Sequence, residues 1–311
     1  MELLGVFNQV MVPILFIVGA GFAFKKLTDV DVRPASRISL YLLSPALIFS
    51  VLVEAEIGGA DALRSVGFMV LLTGVLGLLT FLFALPFGYE RRTRTALLLC
   101  VMFSNTGNYG LPLALFAFGR EGFEAAVIFF ITQGVLAQTL GLYIAGSGQA
   151  GWRNGVLRLL GAPQIYAVLG ALLIRYAGPE HVTESGNLLN DLFRGVDLMG
   201  QAAIPLLLVI LGIELAGARI SSDEGVQIGL ATGLKLFAAV PISYAIAVLV
   251  GLGPLETRLA VILGSMPTAV NVVIFATEFD IKPKLVSSTV IVSTALSFVS
   301  LTALISLLGG G

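Results

Sequence analysis

Charge is what this sequence has least of. Only 12% of its residues are Asp, Glu, Lys or Arg, about half of what an ordinary soluble domain carries. So few charges cannot coat a water-facing surface, which excludes a soluble globular fold. The single cysteine, Cys100, excludes an internal disulfide and any multi-cysteine metal centre. With His181 as the only histidine, metal and triad chemistry are short of parts. A formal net charge of −1 gives no basic field to hold nucleic acid. The sequence therefore points away from an enzyme, a cofactor site, a bound metal or a nucleic-acid partner.

What the chain does have is apolar sequence, 57% of its 311 residues. At about 20 apolar residues per crossing, that length accommodates roughly ten membrane helices. Apolar runs bounded by charge or Gly/Pro clusters lie at about 3–24, 37–53, 65–86, 95–118, 123–145, 162–178, 197–215, 226–250, 257–278 and 285–308. The first is read as a retained span rather than a signal peptide, because Lys25 and Lys26 follow it and no cation precedes it. Residues 147–161, with Gly, Ser, Gln and Trp152, read as a linker between a first half, 1–146, and a second, 162–311.

Cations divide unevenly between alternate loops. One set holds Lys25, Lys26, Arg33, Arg37, Arg91, Arg92, Arg94, Arg153, Arg158, Arg219, Lys282 and Lys284; the other holds Arg64, Arg120, Arg175, Arg194 and Arg258. The richer set belongs in the cytoplasm, which leaves both termini outside a multi-pass inner (plasma) membrane protein. The halves also echo one another. Pro13 precedes Lys25 by the same interval as Pro163 precedes Arg175, and Pro45 precedes Glu54 as Pro205 precedes Glu214. Five spans per half reverse the orientation of the second copy, so the expected fold is all-α with two inverted five-helix repeats.

Two spans carry breaks. In the fourth, Ser104-Asn105-Thr106-Gly107-Asn108-Tyr109-Gly110-Leu111-Pro112 interrupts apolar sequence with helix-weakening glycines and a proline. In the ninth, Gly264-Ser265-Met266-Pro267-Thr268-Ala269-Val270-Asn271 does the same. Unwound backbone at membrane depth requires protein or a water-filled cavity around it. Half-helix N-termini, expected near Pro112 and Pro267, suit an anion, whereas freed carbonyls suit a cation, so the breaks alone leave the sign open. Packed kinks glued by Asn are the plainer alternative.

Lys235 lies about ten residues into the eighth span. A cation there costs about 2.5–3.5 kcal/mol to insert, which calls for an interior partner or cavity. No Asp or Glu is expected in a span core, since Glu54 and Glu214 read as interfacial, and an anionic substrate is the simplest transient partner. Snorkelling along the lysine stem is the alternative. Thr132, Gln133, Gln138 and Thr139 form a polar stripe on the fifth span that either lines a cavity or bonds between helices. Glu184 to Arg194 reads as a short interfacial helix.

Asn105-Thr106-Gly107-Asn108-Tyr109-Gly110-Leu111-Pro112, with Lys235-Leu236 before Pro241, resembles the auxin efflux carrier family. Phe275-Ala276-Thr277-Glu278-Phe279-Asp280 and Ser293-Thr294-Ala295-Leu296-Ser297 fit its C-terminal pattern. The resemblance covers nearly the whole chain, in the manner of a short bacterial member. It implies a scaffold domain from spans 1, 2, 6 and 7, a transport domain from spans 3–5 and 8–10, and crossed broken helices as in sodium/proton antiporters and bile-acid symporters. It also implies elevator-type transport of a small organic anion and a possible homodimer through the scaffold.

The expected function is thus efflux of a small organic carboxylate. Asn105, Gly107, Asn108, Tyr109, Gly110, Pro112, Lys235, Pro267, Thr268 and Asn271 form its expected site, with Thr132, Gln133 and Gln138 as further lining. Alternatives are proton- or sodium-coupled uptake of a dicarboxylate such as malate or malonate, a ligand sensor on the carrier fold, and a channel.

Overall fold

The computed structural model describes residues 3–55, 58–146, 157–184, 187–217 and 223–309. Among them every regular element is helical, and seven helices are long and apolar enough to cross a bilayer. In chain order we label α1 Leu3–Thr28, α2 Val32–Glu54, α3 Gly59–Ala84, α4 Arg91–Met102 and α5 Thr106–Ala145. There follow α6 Pro163–Ala177, α7 Glu180–Thr183, α8 Leu188–Gly217, α9 Gly225–Val250, α10 Pro254–Gly264, α11 Asn271–Glu278 and α12 Pro283–Leu308. Most of the expected linker, and Arg219 with it, lies outside the described residues.

The long apolar run α5 is two helices that meet at Gly119, whose φ of 66° and ψ of −159° turn the chain between the expected fourth and fifth spans. Arg120, Glu121 and Glu124 follow at once, which brings polar groups to that turn. The expected short interfacial helix over Glu184 to Arg194 is corrected. The short helix is α7, and Asp191 and Arg194 belong to the opening turns of α8. Asn187 and Asn190 explain the boundary. The Asn187 side-chain oxygen accepts the Asn190 N–H at 2.7 Å, while Asn190 Nδ2 donates to the carbonyls of Val182 and Thr183, each at 3.0 Å. These asparagines satisfy groups that an α7-to-α8 transition would otherwise leave unpaired.

α8 packs along α1 and across α2, and α6 packs on α2. Close approach needs residues without a Cβ. A Cβ at Gly21 would run into the Val209 carbonyl, one at Gly212 into the Val18 carbonyl, and one at Gly200 into Leu47 Cα. Apolar side chains are no more at home against protein than against lipid, so backbone proximity of this kind supplies the packing contacts that hold membrane helices together.

Ion pairs gather the connections into two groups. Glu90, Arg92, Arg158, Glu224, Glu278, Asp280 and Lys282 are linked by Arg92–Asp280 at 2.9 Å, Arg158–Glu278, and Lys282 to Glu90 at 3.1 Å and Glu224 at 3.4 Å. In the other group Arg120 pairs with Glu54, and Arg175 donates to the carbonyls of Leu52 and Ala55. α3 runs from the second group to the first over 26 residues, about 39 Å at helical rise. The two groups therefore mark opposite ends of the molecule. Lys282 holds its ammonium form above its ordinary range because it donates to both Glu90 and Glu224.

Candidate functional site

A helix that stops inside an apolar layer leaves its last carbonyls without intrahelical donors. α4 stops at Met102 and α10 at Gly264, and the fate of those carbonyls defines the centre of the molecule. Three successive α4 carbonyls are capped by side chains from two other helices and from the extended segment after α10. Cys100 O accepts from Thr268 Oγ1 at 2.9 Å, Val101 O from Lys235 Nζ at 3.1 Å, and Met102 O from Gln133 Nε2 at 3.3 Å. Gly264 O, at the end of α10, accepts from both Lys235 Nζ and Ser104 Oγ at 3.4 Å.

Between the half-helices the two extended segments pair with each other. The Asn105 N–H donates to Pro267 O at 2.8 Å and the Ala269 N–H to Phe103 O at 2.9 Å, around an antiparallel bridge of Ser104 with Thr268. The Thr268 N–H donates to Ser293 Oγ on α12 at 3.2 Å. Each break thus supplies the backbone partner that the other lacks. This is how unwound chain persists at membrane depth.

The helices resume at Thr106 and at Asn271. The expectation of an N-terminus near Pro112 holds for the regular α-helix, which begins at Leu111, and the one near Pro267 is corrected to Asn271. Pro112 lies a turn inside the resumed helix, following a wide turn over Thr106–Gly110, whereas Pro267 is itself in the extended segment. Proline is tolerated near a helix start because the missing N–H has no intrahelical partner there. The Thr106–Gly110 wide turn relaxes the demand at Pro112, since its fifth-residue bonding rearranges the amide ladder.

The predicted residues now separate. Lys235 is fully buried and its ammonium donates to Ser104 Oγ at 2.6 Å as well as to the two carbonyls above, so it fastens the carbonyl side of the break. The sequence-based expectation of a lysine held for a transient anion is replaced by one whose partners are protein oxygens. Tyr109 is also fully buried, with its hydroxyl against Met11 Sδ at 3.6 Å and its ring 5.3 Å from that of Phe298. Tyr109 packs the break against α1 and α12. Gly107 faces the Phe130 ring, and Gly110 lies under Leu263 and the Asn105 carbonyl, positions in which a side chain would meet neighbours. Thr132 bonds to its own helix at the Ile128 carbonyl, and Gln138 is partly exposed on α5.

Unspent polar atoms lie on both sides of the crossing, and Ser243 Oγ, beside Gly264 at the end of α10, is one of them. Asn105 is buried with its side-chain nitrogen unpartnered, and Gln133 keeps an unpartnered Oε1. Asn271 is exposed and Asn108 half-buried. Buried polar atoms without partners are uncommon and call for a ligand or water.

Glu214 was missed. Its place near the end of a span reads as interfacial in sequence, yet its carboxyl group lies beside the Asn108 side chain and its Oε2 is buried without a partner. α8 crosses the Thr106–Gly110 turn there. The matched spacing of Pro45–Glu54 and Pro205–Glu214 could have flagged it, but Glu54 ends in an ion pair with Arg120 and gives no hint of this difference.

Comparison with known proteins adds the following. A family model described as "Membrane transport protein" matches residues 6–153 and again 152–305. An uncharacterized transporter of Methanothermobacter thermautotrophicus is 27% identical over 300 residues, covering 94% of this chain and 96% of the relative. An uncharacterized transporter of Methanocaldococcus jannaschii is 24% identical over 93% of this chain and 94% of its own. A protein named "Putative malonate transporter" in Rhizobium meliloti is 26% identical over 280 residues, 88% of this chain and 85% of that one.

Proposed function

The chain belongs to the membrane transport protein family, that of the auxin efflux carriers whose motif it bears, and from that premise we propose that it carries a small organic carboxylate across the membrane by alternating access. The observation that carries the choice of an anion is the division of the break. Lys235, Thr268 and Gln133 already satisfy the carbonyl ends of the first half-helices. At the starts of the second half-helices Asn105 Nδ2 is unpartnered and Asn271 is exposed, with Asn108 shared with Glu214, and we assign this side to the substrate. Helix starts carry partial positive charge and spare N–H groups, which favour a carboxylate.

We assign the carboxylate to Asn105 and Asn108 of the first break and to the Thr268–Asn271 segment of the second. Ten spans in two inverted repeats, with α1, α2, α6 and α8 as scaffold and the remainder moving as an elevator, complete the reading. The doubled family match and the two-ended ion-pair grouping support the repeat and the alternation of loops. The cation-rich loops then face the cytoplasm and the termini lie outside. With a negative interior, an anion moves outward downhill by about 2.3 kcal/mol per charge per 100 mV, which favours efflux. The malonate-named relative supports a carboxylate as cargo.

Counterflow in proteoliposomes loaded with one carboxylate at a time, from acetate through malonate and malate to indole acetate, tests the reading. Saturable exchange of at least one is expected. Binding without exchange would make the protein a sensor, and unsaturable conductance would make it a channel.

A further inference from the structure

We propose that Lys235 is a built-in cation, its ammonium occupying a monovalent-cation site formed by Val101 O, Ser104 Oγ and Gly264 O at the meeting of the two broken helices. The inference deepens the transport reading and rests on it for its consequence, although the site itself stands on geometry alone. Three oxygens from two separate breaks converge on Nζ at 3.1, 2.6 and 3.4 Å, and the lysine is fully buried. Three acceptors match the three N–H donors of an ammonium, with Ser104 Oγ accepting from Nζ while its own proton points to Gly264 O. Among the described residues no salt bridge involves Lys235, and its charge faces oxygen dipoles.

Those dipoles are the C-terminal ends of α4 and α10, where partial negative charge accumulates. Carbonyl and hydroxyl oxygens are also what a hard monovalent cation takes in place of its water, and unwound carbonyls with half-helix ends serve that purpose in transporter folds. Here the ligand is tethered. Lys235 lies in a wide turn over Leu234–Ala238 of α9, which re-aims its stem toward the break, and the stem is enclosed in the core. A tethered ammonium neither enters nor leaves with the substrate. The centre is therefore held ready in every part of the transport cycle, and no free cation is needed to complete it.

The test is thermal unfolding of the purified full chain in detergent, in sodium, potassium or n-propylammonium chloride against choline chloride at equal ionic strength. Wild-type protein is expected to melt at one temperature in all four salts. Lys235→Ala, which leaves the oxygens and vacates the stem, is expected to melt lower in choline and to recover by about 5 °C in sodium or n-propylammonium, as binding to the folded state alone requires. Lys235→Met, which refills the volume without charge, is expected to stay low in every salt. If Lys235→Ala is not recovered as folded protein, Lys235→Ser, which keeps the opening and adds an oxygen, takes its place. Wild-type stabilisation by sodium over choline, or an alanine or serine variant indifferent to all four salts, would overturn the proposal. Because the readout needs no substrate, a failed counterflow experiment would sink the transport reading and leave this one standing.

Discussion

The two breaks resemble each other in sequence and differ in what they do with their polar atoms. The first, Phe103 to Asn105, hands three carbonyls behind it to side chains from elsewhere, yet leaves Asn105 Nδ2 unpartnered and Asn108 facing Glu214. The second, Ser265 to Val270, spends its hydroxyls on backbone carbonyls. Ser265 bonds to the Val261 carbonyl at 2.8 Å, Thr268 reaches across to the Cys100 carbonyl, and only beyond the break is a residue, Asn271, exposed. On the proposed function, one break recognises and the other braces. Pairing the segments lets a single break carry the amides while its partner supplies the rigid edge against which they are held.

The sharpest way to break that comparison is at Asn108. Asn108→Ala is expected to lower saturable carboxylate exchange by about a hundredfold, the loss of roughly 2.7 kcal/mol of charge-assisted bonding, with the melting temperature nearly unchanged. Asn271→Ala, at the bracing break, should cost about tenfold or less in the same counterflow assay. Equal losses would erase the division of labour.

Glycines sharpen it from the packing side. A Cβ at Gly264 would meet Ser243 Oγ and Leu72 in a fully buried position, whereas one at Gly107 meets the edge of the Phe130 ring. Gly264→Ala should therefore destabilise by about 1–3 kcal/mol and Gly107→Ala by less, since a ring edge gives way more readily. Paired thermal melts measure the difference. Thr268→Val removes one buried hydrogen bond to Cys100 O, and should cost about 1–3 kcal/mol because that carbonyl loses its donor.

The smallest effect belongs to the loops. Arg158 beside Glu278 holds that carboxylate below its ordinary range. A depressed carboxylate contributes stability above its unfolded pKa and loses it as pH falls through the folded value, so the contribution should vanish under acid and be full at neutrality. The pair is surface-exposed, and Glu278→Gln should shift stability by about 0–1 kcal/mol, less in high salt. A shift of several kcal/mol would mean that this pair locks the moving parts.

Much of the fold was legible because the bilayer imposes it. Twenty-residue apolar runs, charge at their ends and Gly/Pro clusters at mid-run are local signals, and α1, α3 and α12 follow the runs read from sequence within a few residues. The breaks were legible for the same reason, since Gly107, Gly110 and the two prolines weaken a helix wherever it lies. Their edges were not. Pro112 marks the start of the regular helix, as it looked, but a wide turn reaches back from it to Thr106, beside the pairing of Asn105 with Pro267, which lie 162 residues apart in the chain.

The sequence by itself determined that this chain lives in a membrane, that two of its spans are interrupted, and that Lys235 is too deep to be left without partners. Those conclusions follow from composition and periodicity, which act locally. Only the tertiary structure decided which oxygens Lys235 would meet, that Tyr109 would face α1 and α12 rather than open space, and that Glu214 would end beside Asn108 rather than in water. Such outcomes depend on which helices cross and how closely, and those crossings are fixed by backbone contact at Gly21, Gly200 and Gly212. A glycine in sequence says that close approach is allowed; the partner that approaches is chosen by the fold.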